Sequence, residues 1–272
     1  MSGPNDDLLR DLLARARGAA AKAAVLLANP PADLGVQTKA TPTDVVTVMD
    51  KRSEALLLTL LLDGRENDGV LGEEGADRAG TSGFRWVIDP IDGTVNYMYG
   101  LPGWSVCVGL EYEGEPIVGV VTAPTYGVTY YAARGLGAFR EVCGVSEAIR
   151  PSQVAELSMA LTATGFGYAS TQRSFQAEIL RSLLPEIRDI RRAGSAAVDI
   201  CWVADGKIDA AYEKGLNRWD YLAASVVATE VGVVVAGLDG RGPSADLTIA
   251  ANPTLFAKLH DRLKQLGADQ PV

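Results

Sequence analysis

Trp86-Val-Ile-Asp89-Pro90-Ile91-Asp92-Gly93-Thr94 sets two carboxylates three residues apart, with a proline between them and Gly-Thr directly behind. The preceding residues, Phe84 to Ile88, form a short apolar strand by pattern. Pro90 fixes its own φ and pushes Asp89 into extended backbone. Gly93 supplies the freedom that a sharp turn needs. The strand is therefore expected to end by presenting both acids on one turn, with the Gly93 and Thr94 amides free to face an anion. Hard oxygen ligands beside an anion site suit a divalent cation holding a phosphate. Taken alone, Asp-x-x-Asp-Gly is more often a solvated turn. The odds rise because the pair follows an apolar strand and because further acids recur at strand ends and helix starts.

Composition narrows the classes. A chain of 272 residues suits one large domain or two smaller ones sharing an interface. With 25 Lys and Arg against 34 Asp and Glu the net charge is −9, which argues against a nucleic-acid binder. The short basic cluster Arg188, Arg191, Arg192 reads as a solvated strand edge. Cys107, Cys143 and Cys201 are far apart and lack ligand spacing, as expected of reduced thiols in a reducing compartment. There is no signal-peptide pattern and no apolar run long enough to span a bilayer, so a cytoplasmic protein without a membrane partner is expected.

Outward from the central stretch, Asn5 to Ala28 has helical apolar spacing and stops at Asn29-Pro30-Pro31. A second helix is expected from Thr43 as N-cap, with Asp44 in its first turn, to about Leu62; Thr47 and Asp50 then share a face. Val70 to Gly72 is a short strand ending in Glu73-Glu74, whose side chains point opposite ways on a strand, so Glu73 alone is expected at a shared site. Past the central stretch, Asn96, Tyr97 and Tyr99 are expected to line a cleft. Three strands then follow as a meander, Ser105 to Leu110, Pro116 to Ala123 and Val128 to Ala133. From about Pro151 strands and helices alternate: strand Leu157 to Ala163, helix Thr171 to Leu184, strand Ile187 to Arg191, a helix begun by Ala193-Gly194-Ser195, strand Ile208 to Tyr212, a helix opened by Trp219 or Asp220, strands Val233 to Ala236 and Leu247 to Ala251, and a last helix from Pro253. The division is an N-terminal α+β half, 1–145, and a C-terminal α/β half, 146–272. Gly194 to Ala197 are small enough for close approach of a ligand, and equally for close helix packing.

These pieces together resemble the inositol monophosphatase family. Asp89-Pro-Ile-Asp92-Gly-Thr94 is similar to its first signature, and Trp219-Asp220-Tyr-Leu-Ala-Ala-Ser, closing in Thr229-Glu230-Val-Gly232, to its second. Lys39, Asp44 to Asp50, Gly72-Glu73-Glu74, Gly194-Ser-Ala-Ala and Glu213-x-Gly215 fall between them in the family's order. The resemblance implies a layered αβαβα sandwich, a homodimer, and a site between the halves. It implies two or three Mg²⁺ per site: Glu73, Asp89 and the Ile91 carbonyl hold one, Asp89, Asp92 and Asp220 a second, and Glu73 helps with a third. It implies that Gly93 and Thr94 cradle the phosphate, that Asp50 orients Thr94, and that Thr94 with Glu73 aims the attacking water. Asp92, Gly194, Ala196, Glu213 and Asp220 then meet the alcohol side of a small phosphomonoester. Paired ions roughly 3.5–4 Å apart lower the pKa of the attacking water, so no histidine base is required; the single histidine, His260, is far from every motif.

Three departures concern loop shape rather than ligands. Val233 stands where the family commonly has a second glycine, Val128-Thr129 lacks a frequent acid, and the turn after Gly137 has no Asn-Gly. The expected activity is Mg²⁺-dependent hydrolysis of inositol monophosphate. The alternatives are the same chemistry on histidinol phosphate, fructose 1,6-bisphosphate or phosphoadenosine phosphate, and a regulatory protein that keeps the fold. In sequence only Lys214 and Arg218 offer positive charge beside Glu213, which favours a monophosphate of a polyhydroxy ring.

Overall fold

The computed structural model describes residues 3–271. Five layers stack as helix, sheet, helix, sheet, helix. The first is α1 (Asp6–Leu27) and α2 (Val48–Leu62), whose apolar faces bury Leu9, Leu12, Met49, Leu57 and Leu61 against Trp86, Ile88, Val106, Val108 and Val120 of the first sheet. That sheet has eight strands, in the order 145–148, 138–142, 128–133, 115–123, 105–112, 84–92, 69–72, 77–78. It is antiparallel except where Gly69–Gly72 runs parallel to 84–92. A five-residue helix, α3 (Thr94–Met98), follows the central strand.

The other face of the first sheet, with Val87, Cys107, Val121 and Tyr130, packs on α5 (Ala196–Ala204) and α6 (Arg218–Thr229). These helices touch the second sheet on their far side through Ala163, Ala211 and Ala250. The second sheet has the order 189–191, 161–164, 210–213, 248–251, 234–236, parallel across its first three strands and antiparallel beyond. Its outer face is covered by α4 (Ser170–Leu183) and α7 (Pro253–Gln265). The architecture is the layered α/β sandwich expected from the sequence. Helix α6 lies unusually close to the first sheet, because a Cβ on Gly119 would stand 2.0 Å from the Ala223 carbonyl oxygen and one on Gly109 2.3 Å from Leu222. Among the described residues no helix is long and apolar enough to cross a membrane.

Several element boundaries move. α2 starts at Val48, not Thr43: Thr47 is its N-cap and accepts from the Met49 and Asp50 amides. The signal from Asp44 misled because Asp50, three residues past Thr47, completes a capping box. The strand expected to end at Ile88 continues through Pro90 to Asp92. Leu157–Met159 is a short 3-10 turn, and the strand begins at Leu161. The polar hairpin Ala138–Val142 and Val145–Ala148 escaped the pattern search; its second strand is exposed throughout and so carries no alternation.

Candidate active site

The central stretch works through a β-bulge. Asp89 pairs with Cys107 but Asp92 pairs with Ser105, so one extra residue is inserted between the acids. In a regular strand, positions 89 and 92 would face opposite ways. The insertion reverses the parity: Ile91 joins Trp86 and Ile88 in the core under α1 and α2, and both acids turn to the α5–α6 face. Asp89 Oδ1 accepts from the Ile91 amide at 2.9 Å and so holds the bulge closed. Gly93 then takes φ 97°, where any Cβ would lie 2.8 Å from the Gly103 oxygen and 2.9 Å from that of Gly194.

One face of α2 holds this wall. Asp50, fully buried, accepts the Thr47 amide and hydroxyl on Oδ2 at 2.7 and 2.6 Å, and the Thr94 hydroxyl on Oδ1 at 3.1 Å. The Thr94 hydroxyl also lies 3.0 Å from the Ile91 carbonyl. Ser53 donates to the Pro90 carbonyl at 3.3 Å. Glu54 accepts the Glu74 amide at 2.9 Å and the Ala76 amide at 3.3 Å. Lys39 bridges Glu73 and Glu74 at 2.8 and 2.7 Å. Both glutamates thus reach one lysine, against the expectation of opposite directions, because the chain turns at Glu73 and leaves the strand. Only Glu73 lines the cleft.

The opposite wall comes from the second half of the chain. Asp92 Oδ2 accepts from the Ser195 hydroxyl at 2.6 Å and the Ala197 amide at 2.8 Å, which ties the bulge to the start of α5. Asp220 stands three residues past the Asn217 cap of α6 and accepts its amide on Oδ2 at 2.6 Å. Asp50 and Asp220 are therefore both capping-box acids that spend one oxygen on a helix start; the other oxygen of Asp50 holds Thr94, whereas Asp220 lines the cleft itself. Glu213 ends its strand with its carboxyl against Gly165, where a Cβ would sit 2.1 Å from Oε1. Asp199 on α5 is 4% exposed, and its Oδ1 has no hydrogen-bond partner.

The cleft has about 290 Å³ of room and is lined by Glu73, Asp89, Ile91, Asp92, Gly93, Thr94, Gly194, Ala196, Glu213 and Asp220. Of the site residues that the family resemblance implies, only Asp50 stands behind it, reaching it through Thr94. Asn96, Tyr97 and Tyr99 do not line it: Asn96 donates to the Gly103 and Ala193 carbonyls, the Tyr97 hydroxyl donates to that of Leu27, and Tyr99 is 70% exposed. The expected cations also change. Arg218 turns away to Glu111, whereas Arg192, read as a solvated edge, lines the cleft. Lys39 and Ser195, which belong to stretches that resemble the family's motifs, line it too, as does Tyr168, which no pattern in the sequence marked.

Electrostatics show what the cleft lacks. Burial, then Glu73, Asp92 and Asp220, push the Asp89 carboxyl well above the usual range. Burial and Asp92 do the same to Asp220, and burial raises Glu73 against the pull of Lys39. Burial lifts Asp92 to about 6, and its bonds from Ser195 and Ala197 pull the other way. Burial and Asp92 lift Glu213 to about 8. Among the described residues, no three acids, histidines or cysteines stand together in a closed metal-binding group. The donors nevertheless fit a hard divalent ion: Glu73, Asp89, Asp92 and Asp220, among the acids that line the cleft, repel one another, and no soft ligand stands among the lining residues.

Comparison with known proteins agrees with this chemistry. The sequence profile of the inositol monophosphatase family matches residues 8–268. The chain is 40% identical to inositol-1-monophosphatase SuhB of Mycobacterium tuberculosis over 273 residues, 98% of this chain and 94% of that one. It is 32% identical to a protein named Nus factor SuhB in Pasteurella multocida, over 88% of this chain and 89% of the relative. The solved structure of Mycobacterium tuberculosis SuhB superposes with a TM-score of 0.82 at 37% identity, covering 96% of this chain and 98% of that one. An IMPase of Thermotoga maritima gives 0.83 at 27% identity, covering 94% and 98%. The chain therefore belongs to the inositol monophosphatase family and is a phosphoric monoester hydrolase.

Proposed function

We propose that the protein hydrolyses inositol monophosphate to inositol and phosphate with Mg²⁺ as cofactor. The observation that carries this is the single cleft shared by Glu73, Asp89, Asp92, Asp220 and the Asp50–Thr94 pair. Glu73, Asp89, the Ile91 carbonyl, Asp92 and Asp220 would hold two or three divalent ions. Bound there, the ions supply positive charge for the entering and leaving oxygens and lower the pKa of an attacking water. Thr94 and Glu73 aim that water, and Asp50 fixes the Thr94 hydroxyl. The Gly93 and Thr94 amides receive the phosphate. Asp92, Gly194, Ala196, Glu213 and Asp220 receive the ring hydroxyls. The 1–145 half supplies most of the chemistry and the 146–272 half most of the substrate contacts. No nucleophilic side chain is needed, so no phosphoenzyme forms.

Glu213 favours hydroxyls, whereas Arg192 in the same cleft weakens the case against a second phosphate. The test is phosphate release from inositol 1-phosphate, histidinol phosphate, fructose 1,6-bisphosphate and phosphoadenosine phosphate, with and without Mg²⁺. Inositol 1-phosphate is expected to have the highest kcat/KM. A bisphosphate or nucleotide preferred by more than about tenfold, roughly 1.4 kcal/mol, overturns the substrate assignment, and full turnover in excess chelator overturns the metal assignment. We also propose a cytoplasmic homodimer, which light scattering of the purified protein tests. A non-enzymatic role has one observation in its favour, the name Nus factor borne by relatives. It requires a phenotype of gene loss that an inactive Asp89→Asn protein still rescues.

A further inference from the structure

We infer that Glu54, a buried side chain outside every motif that marks the cleft, is the positioning residue for Glu73, and that it sets the affinity of the site for divalent ions. The inference rests on Glu73 being a metal ligand, as proposed above.

Three observations carry it. First, Glu54 is 7% exposed and its two oxygens accept different amides of one turn, Oε2 from Glu74 and Oε1 from Ala76. Those amides lie one and three residues past Glu73, in a turn where Gly72 N also donates to the Ala76 carbonyl at 2.6 Å. Second, Gly72 is empty of side chain at this contact, since a Cβ would stand 2.3 Å from Glu54 Oε2. The carboxylate therefore fills the space under the turn and fixes its height above α2. Third, Glu54 sits four residues after Asp50 and one after Ser53. One helical face thus holds Thr94, the Pro90 carbonyl and the Glu73 turn at once. A buried carboxylate that receives two amides is costly to unpair, so the turn cannot shift without losing both bonds.

Lys39 gives this clamp its purpose. It bonds both Glu73 and Glu74, and without a fixed backbone Glu73 could follow the lysine away from Asp89. Glu54 holds the Glu74 amide in place, so the Glu73 side chain leaves the turn at a set point. A glutamine at position 54 keeps the length but can accept with one oxygen only, and its NH₂ group faces an amide N–H.

The test compares Glu54→Gln with Leu57→Ala, a fully buried substitution one turn further along the same helix. Mn²⁺ binding is read by calorimetry, alongside melting temperature and kcat at saturating Mg²⁺. Glu54→Gln is expected to weaken Mn²⁺ at least about fivefold and to raise the Mg²⁺ needed for half-maximal rate by a similar factor, with kcat at saturation within about twofold. Leu57→Ala is expected to lower the melting temperature at least as much and leave Mn²⁺ affinity within about twofold. If Glu54→Gln does not fold, Gly72→Ala presses the same turn from the other side and is expected to weaken Mn²⁺ likewise. Wild-type Mn²⁺ affinity in folded Glu54→Gln, or equal weakening in Leu57→Ala, overturns the inference. A wild-type protein that binds no Mn²⁺ instead overturns the metal assignment beneath it.

Discussion

The two walls of the cleft are built to different standards. On the side of the first sheet nearly every polar group is committed: Asp50 takes three donors, Asp89 closes the bulge and Glu54 holds two amides. On the opposite wall, among the described residues, the Glu213 carboxyl makes no hydrogen bond, Asp199 has an unpaired buried oxygen and Arg192 has no ion-pair partner. Committed groups hold geometry, and uncommitted ones wait for a ligand. The first wall accordingly suits the reaction, which requires fixed geometry. The second suits recognition, where a substrate can satisfy what the protein leaves open.

The largest expected effect tests the fixed wall at its centre. Asp89→Asn should lower kcat/KM at least about 10³-fold, roughly 4 kcal/mol, whereas Asp44→Asn, on the rim of the same cleft, should stay within about threefold. Equal losses would show that Asp89 holds no special place at the centre of the fixed wall. Next, Thr94→Ala should lower kcat about 10²-fold and change KM only severalfold, since the hydroxyl acts in the reaction rather than in binding. A trapped phosphoenzyme would contradict the assigned role. On the open wall effects should fall on selectivity. Glu213→Gln should change the ratio of kcat/KM for inositol 1-phosphate over fructose 1,6-bisphosphate about tenfold, and Arg192→Ala should shift it the opposite way. An unchanged ratio in both would show that this wall does not choose the substrate.

The smallest effect is one of stability. Glu213 ionises near pH 8 when folded and near 4.5 otherwise. The folded chain thus keeps a proton that the unfolded chain gives up as pH rises. The stabilisation is complete below about pH 4.5 and disappears as pH climbs through about 8. Without metal, the wild-type melting temperature should therefore fall between pH 5 and 8, and in Glu213→Gln it should fall about 5 °C less over that range, a modest shift for a chain of this size. Parallel curves would place the pH dependence in the other acids.

How much could be read beforehand follows the same division. Helix α1 and the meander are legible because apolar period alone defines them. The acids of the first wall are legible because proline, glycine and strand pattern fall within nine residues. The bulge that brings Asp89 and Asp92 to one face is not, since register depends on the partner strand. Arg192, Asp199 and Glu54 stayed hidden for a related reason: each matters through a neighbour distant in sequence, and a lone arginine or glutamate on a helix or strand carries no local mark. Thr43 with Asp44 offered a plausible helix start, and the capping box of Thr47 with Asp50, which also receives Thr94, set the start at Val48 instead.

The absent side chains of Gly109 and Gly119 have a consequence for anyone who alters this protein. Helix α6 rests on bare backbone at both positions, and Asp220 rides on the first turn of that helix. The gap between Asp220 and the acids of the central strand is therefore measured out by two missing methyl groups lying deep beneath the cleft. Replacing glycine by alanine is a common route to a tougher protein. Here it would act as a shim, lifting the helix and widening a site that the altered residue never touches. Screens for heat resistance would then discard these positions, while screens for altered metal preference would have reason to start with them.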